Sequence, residues 1–249
     1  MKKQYFLFAV NLFLFNLFCI AAMAQLNPLN TPKHLMVVVT DNWDNIQGTI
    51  YVFDKQDGKW LLRFSNPIVV GSKGLGIGDG LVPLSFPKAP VKKEGDKKSP
   101  AGFFSIGTAF GYADYKDAKW INNPYIKATD TLICVDDPHS VHYNTLINND
   151  PAKSDYNSYE HMLLAKDYYK WGLFINHNAG KIVPGDGSCV FMHIWGNDHE
   201  GTAGCTAMTE ENLLRILHWI NAGEHPLLVQ LPKVEYLKIR EEFGLPAID

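Results

Sequence analysis

Between residues 33 and 70, short β-branched and aromatic runs alternate with turn-forming residues. Positions 35–40 and 47–53 read as strands separated by the polar 41–45 segment. Asp57-Gly58 is a hairpin signal, and 60–64 and 68–70 supply further strands. Five glycines between Gly71 and Gly80 have neither the dinucleotide nor the phosphate-loop spacing, so this stretch reads as a flexible loop. The charged run from Lys92 to Lys98 reads as a solvated turn leading into a strand at 103–106.

Residues 136–170 are polar and loop-rich, with one short helix expected at 159–169. A stretch of that length inside a compact domain suits a lid or cleft wall. Strands follow at 171–176 and 188–195. On the second, period two places Cys189, Phe191, His193 and Trp195 on one face. Thr209 caps a helix with Glu210 and Glu211 in its first turn, an apolar stripe at Leu213, Leu214, Leu217 and Ile220, and Gly223 as its stop. A strand at 226–231 and a helix at 234–243 close the pattern. Many strands with few late helices predict a mainly β, α+β domain, and no alternating βα pattern suggests a parallel sheet.

Composition narrows the setting. Of 249 residues, 1–24 read as a secretory signal: Lys2 and Lys3, an apolar stretch over 5–20, then Ala22-Met23-Ala24 before Gln25. The apolar stretch falls short of the ~20 residues that span a bilayer. Phe18 before Cys19 argues against a lipidated cysteine. An exported protein of the periplasm or cell envelope is expected, with residues 25–249 forming one domain. Losing two lysines takes the net charge from -3 to -5, which argues against a nucleic-acid partner. Cys134, Cys189 and Cys205 remain. An odd count in an oxidising compartment leaves at least one free thiol; a Cys134–Cys189 bridge and three buried thiols are both compatible with it.

One constellation reads as covalent chemistry. His193 lies on the 188–195 strand, and twelve residues later Cys205 follows Gly204. A thiol needs a neighbouring base to become a nucleophile, and a glycine permits the sharp turn that presents it. Amides around Gly204 and Cys205 are candidates to face an oxyanion. The group orienting His193 is a backbone carbonyl, Asp198, Asn176 or Asn178. A zinc site from His177, His193, His199, Asp198, Glu200 and Cys205 is a rival, but no His-Glu-x-x-His or Cys-x-x-Cys spacing supports it, so no metal or cofactor is expected. His177, Trp195 and Thr202 are candidates for substrate contact. For Tyr168, Tyr169, Trp171 and Trp195, core packing stands beside stacking on sugar.

The segments 187–193 and 202–205 resemble the motif of the L,D-transpeptidase catalytic-domain family. Residues 93–102 with Phe104, 134–138 with Tyr143-Asn144, and 171–178 extend the resemblance over Lys33 to Val229, in an exported branch of that family. The resemblance implies a β-sandwich-like domain acting on peptidoglycan stem peptides. In it Cys205 is the nucleophile, His193 its general base, and Gly204 shapes the turn and oxyanion hole. Cys205 would expel the terminal D-amino acid from the third stem residue. The thioester would then pass to an acceptor amine, or to water as in an L,D-carboxypeptidase. Two positions depart from the family: Ala203 stands where a His is common, and Ala207 where a basic or amide residue is usual. The His-to-Cys spacing is short as well. These departures also admit a catalytically idle envelope-binding module.

Overall fold

The computed structural model describes residues 32–248; the leader assigned to residues 1–24 and Cys19 lie outside them. Three antiparallel strands start the domain: β1 (His34–Thr40), β2 (Gln47–Gln56) and β3 (Lys59–Val69). Asp57 and Gly58 join β2 to β3, both at positive φ (48° and 77°), as a tight hairpin requires. β3 is one strand rather than the two expected from 60–64 and 68–70. A register shift opposite Val52/Phe53 absorbs Arg63 and lets pairing continue past Pro67.

Next come β4 (Leu75–Ile77), the long β5 (Ser99–Gly111) and β6 (Tyr125–Lys127). The glycine-rich segment is therefore not a loose loop. Leu75 is fully buried, and β4 pairs with β5. Later elements are β10 (Trp171–Ile175), β11 (Phe191–Ile194), β12 (Thr206–Met208), helix α1 (Glu210–Trp219), β13 (Leu227–Pro232) and helix α2 (Lys233–Ile239). Pairing runs β10-β11-β12-β3-β2-β1-β13-β5, and β5 pairs again with β10, so the mainly β sheet closes on itself. Closure removes exposed edges and wraps one core. It also makes the sheet mixed, because β1–β13 and β11–β12 are parallel. The sequence lacked a βα alternation because these parallel partners are not joined by regular crossovers. β1, apolar at five consecutive positions and buried along most of its length, is covered on both faces.

α1 begins at Thr209, whose hydroxyl accepts from the Asn212 amide, and buries Leu213, Ile216 and Leu217. Fully burying each such side chain contributes roughly 1.5–3 kcal/mol. The helix ends at Ile220, earlier than Gly223 suggested, because 222–224 tightens into a 3-10 turn.

Outside the closed sheet stands a second, three-stranded sheet: β7 (Leu132–Val135), β8 (Leu146–Asn148) and β9 (Tyr159–His161), with β7 central. The helix expected at 159–169 is replaced by β9 and a 3-10 turn at Asp167–Tyr169. Tertiary pairing with β7 outweighed weak helical patterning there. Between the small sheet and the closed one lies a second apolar cluster holding Phe110, Cys134, Met162, Tyr169, Cys189, Phe191 and Cys205. The Cys134–Cys189 disulfide ties β7 to the approach of β11, settling the cysteine question and leaving Cys205 free. No helix among the described residues is long and apolar enough to cross a membrane.

Candidate active site

β11 and β12 run parallel with Met192 opposite Thr206 and His193 opposite Ala207. Cys205, one residue before that register begins, stands beside Phe191. Its sulfur accepts the Phe191 amide at 3.3 Å. Period two then puts Cys205 on the face that carries Phe191 and His193, while Thr206 turns inward to Gln230 Oε1. Cys205 and His193 are thus neighbours across one strand pair, and both line a cavity of about 380 Å³.

The peptide of Cys205 is pinned. Its carbonyl accepts from Ser99 Oγ (2.7 Å) and from Thr202 Oγ1 (2.6 Å). Thr202 is itself held by backbone bonds to Val70 and Ser72. The glycine-rich segment therefore buttresses the turn that carries Cys205. Gly204 adopts φ +156° with the Lys98 carbonyl 3.2 Å from where a Cβ would sit, so a side chain there is strained and crowded. Its amide donates to Thr202 Oγ1 at 3.1 Å. That bond engages the Gly204 N–H within its own turn.

His193 Nδ1 lies 2.8 Å from the Ile194 carbonyl oxygen. A carbonyl can only accept, so Nδ1 carries the proton and Nε2 keeps a basic lone pair. Of the orienting groups considered, the backbone carbonyl is the one realised. Asn176 bonds Ser105, Asn178 bonds Val183 and Gly187, and Asp198 pairs with exposed His199. Burial lowers the His193 pKa to about 4 against the pull of Ile194. Burial, then the nearby Glu160 carboxylate, push the Cys205 thiol far above its ordinary range; the Phe191 amide, Lys92 and Tyr169 oppose them. The resting pair is neutral thiol and neutral imidazole, and the thiol leans on the Cys189 carbonyl at 3.7 Å.

The YkuD family model, the L,D-transpeptidase catalytic domain, matches residues 36–231. The chain belongs to this family. Among solved structures, Bd1075 of Bdellovibrio bacteriovorus is similar at 12% identity and a TM-score of 0.41, covering 86% of this chain and 55% of that one. The chain thus spans about half the length of that protein. No curated protein sequence matches it.

Within this L,D-transpeptidase domain, several expected residues fall elsewhere. His177 is buried with its ring nitrogens on the carbonyls of Asp79 (3.1 Å) and Asp186 (2.9 Å), bracing two loops rather than lining either cavity at Cys205. Trp195 and Thr202 line a second cavity of about 250 Å³, together with Tyr168 and Tyr169. Trp171 packs against Trp120. Among the described residues no cluster of His, Cys, Asp and Glu is arranged to hold a metal ion, and the ligands of the zinc rival do not converge.

Two groups in the domain were missed, Lys92 and Glu160, and a third, Tyr169, was weighed only for stacking or core packing. Lys92, expected in a solvated turn, is 4% exposed, and its ammonium bonds Asp96 Oδ1 (2.7 Å) and the Lys93 carbonyl (2.6 Å). A Cβ on Gly204 would stand 4.0 Å from its nitrogen. One ammonium proton remains for the cavity beside Cys205. Tyr169 lies edge-on to the His193 ring at 5.2 Å and donates to Glu160 Oε1. Glu160 is half-buried as a residue, but its carboxyl end is enclosed. Burial, with Asp136 and Glu94 adding, raises it to about 7 against the Tyr169 bond. Only the aromatic spacing of Tyr168-Tyr169 hinted at any of these; Lys92 and Glu160 reach the site through tertiary pairing alone.

The aromatic floor explains the placement of Tyr169. Phe110 meets Tyr169 and Phe191 edge-on, and Gly172 leaves room for the Phe110 ring, which a Cβ would approach to 2.1 Å. Cys189 sits at φ 52°, in the left-handed region, held by the disulfide and by its amide's bond to Asn144 Oδ1 at 2.9 Å.

Proposed function

We propose that this protein is an exported, envelope-acting cysteine acyltransferase of the L,D-transpeptidase type, working on peptidoglycan stem peptides. One observation carries the reading: Cys205 and His193 share a strand face and a cavity, with Nδ1 of His193 committed to Ile194 and Nε2 left as a base. In this reading the stem peptide enters the larger cavity. His193 Nε2 takes the Cys205 proton as sulfur attacks the carbonyl of the third residue, since neither group is charged beforehand. The Phe191 amide stabilises the sulfur as charge develops, and the Lys92 ammonium meets the oxyanion in an enclosed, weakly screened space. The C–N bond then breaks, and the protonated imidazole gives its proton to the departing amine of the terminal D-amino acid. A thioester on Cys205 remains for an acceptor amine, making a cross-link, or for water, making a carboxypeptidase product. The leader-like residues 1–24 support export.

The test is incubation with tetrapeptide muropeptides, with and without an amine acceptor, followed by mass spectrometry. Release of the terminal D-amino acid, an adduct on Cys205 and loss of both in Cys205→Ala are expected. Turnover that survives Cys205→Ala would falsify the reading. Release with no amide product in the presence of acceptor would reduce it to a carboxypeptidase, and peptidoglycan binding without any release would leave an idle binding module.

A further inference from the structure

The two cavities at the site are not alike. Both are lined by Glu160, Tyr169, His193 and Ala203, so this group forms their common wall. The larger also contains Cys205, with the cations Lys92 and Lys97 offsetting the carboxylates Glu94 and Asp136. The smaller is lined by Glu160 and Glu200, by the rings of Tyr168, Tyr169 and Trp195, and by no lysine or arginine. Lys166 stands over Tyr168 without lining it. An acidic, aromatic hollow favours a cation, through charge and through the negative ring faces.

Resting on the transacylase reading above, we propose that the smaller cavity receives the acceptor as an ammonium ion, and that Glu160 is the catalytic base that converts it to the nucleophilic amine. An amine arrives protonated at neutral pH and has no lone pair with which to attack. His193, neutral again once the D-amino acid has left, takes only one of the two protons that the ammonium must shed, so a second base is needed. Glu160 borders both cavities, where an acceptor held in one can reach an acyl group held in the other. Tyr169 fixes one carboxyl oxygen and leaves the other for the ammonium. The raised proton affinity of Glu160, set by burial with Asp136 and Glu94 nearby, brings this carboxyl close to the working pH, where a general base is most effective.

The step balances. The acceptor ammonium gives one proton to the Glu160 carboxylate. The free amine attacks the thioester carbon, forming a C–N bond. The adduct's nitrogen passes its surplus proton to His193 Nε2. The C–S bond breaks, and sulfur recovers the proton from His193 as a thiol. Glu160 returns its proton to solvent. Thioester and ammonium thus give amide, thiol and one released proton, with no redox partner.

The experiment isolates the second half-reaction. Cys205 is acylated with a tetrapeptide donor, and transfer is followed by mass spectrometry to two acceptors: an aliphatic amine, protonated at neutral pH, and hydroxylamine, largely neutral there. In Glu160→Gln, the acyl-enzyme is expected to accumulate, with transfer to the aliphatic amine slowed about a hundredfold or more and transfer to hydroxylamine slowed less than about threefold. Equal slowing with both acceptors, or none with either, overturns the assignment of Glu160 as base. Failure of the unsubstituted protein to acylate Cys205 is a separate result, and brings down the transacylase reading and this assignment together. Retention of the acyl-enzyme in the variant shows that the site is still folded.

Discussion

The bridge between Cys134 and Cys189 closes a loop with a sequence separation of 55 residues, and that length sets a stability cost for its removal. In the chain-entropy description a loop of this size restricts the unfolded chain by about 14 cal/mol/K, or about 4 kcal/mol at 25 °C. One term offsets it. Without the bridge, Cys189 can leave its left-handed φ of 52°, recovering roughly 1 kcal/mol. A net loss of about 3 kcal/mol is expected for the double replacement Cys134→Ala/Cys189→Ala, which avoids placing a new thiol beside Cys205. With a urea m-value of about 2–3 kcal/mol/M, the unfolding midpoint falls by roughly 1–1.5 M. Tryptophan fluorescence during urea titration reads it directly. A second readout belongs to the site. The Cys189 carbonyl receives the Cys205 thiol at 3.7 Å and its amide is held by Asn144, so loosening this residue should slow acylation of Cys205 as well. A midpoint within about 0.3 M of the parent would refute the loop argument, and unchanged acylation would refute the link from bridge to nucleophile.

Acid should destabilise the fold through His193. Its folded pKa of about 4 lies below the unfolded 6.5, so the stabilising contribution is complete above 6.5 and is lost as pH falls towards 4, amounting to about 3 kcal/mol. His193→Gln should flatten the stability profile in that window; an identical slope would count against burial of a neutral ring. Glu160 runs the other way: its raised value means stability present below 4.5 and lost as pH rises through about 7, so Glu160→Gln should flatten that upper window in denaturant melts across pH. Lys92→Met keeps the aliphatic stem but removes the ammonium from the cavity. Acylation of Cys205 should slow at least tenfold, alongside a loss of stability because Asp96 Oδ1 and the Lys93 carbonyl lose their buried partner, and an unaltered rate would remove Lys92 from the chemistry. Thr209→Ala deletes the helix cap and should cost about 1 kcal/mol in urea melts without altering acylation.

Local patterning carried a large part of this protein. Alternating and β-branched runs determined β1, β2, β10 and β11, Asp57-Gly58 determined the β2–β3 hairpin, and Thr209 with its apolar stripe determined α1, because each depends on residues within a few positions of one another. The same local logic singled out His193 and Cys205, since a strand-borne imidazole followed by a glycine turn is visible in twelve residues. What no local window holds is which strand lies beside which. Closure of the sheet through β5 and β10, the β9 strand in place of a helix, and the burial of Lys92 arise from pairings between distant segments. The carboxylate Glu160 comes to the thiol in the same way, carried by a small sheet that a disulfide fastens over the site. Burial then moves the proton affinities of His193, Cys205 and Glu160 in the directions described, because desolvation depends on the whole enclosing shell and not on neighbours in the chain.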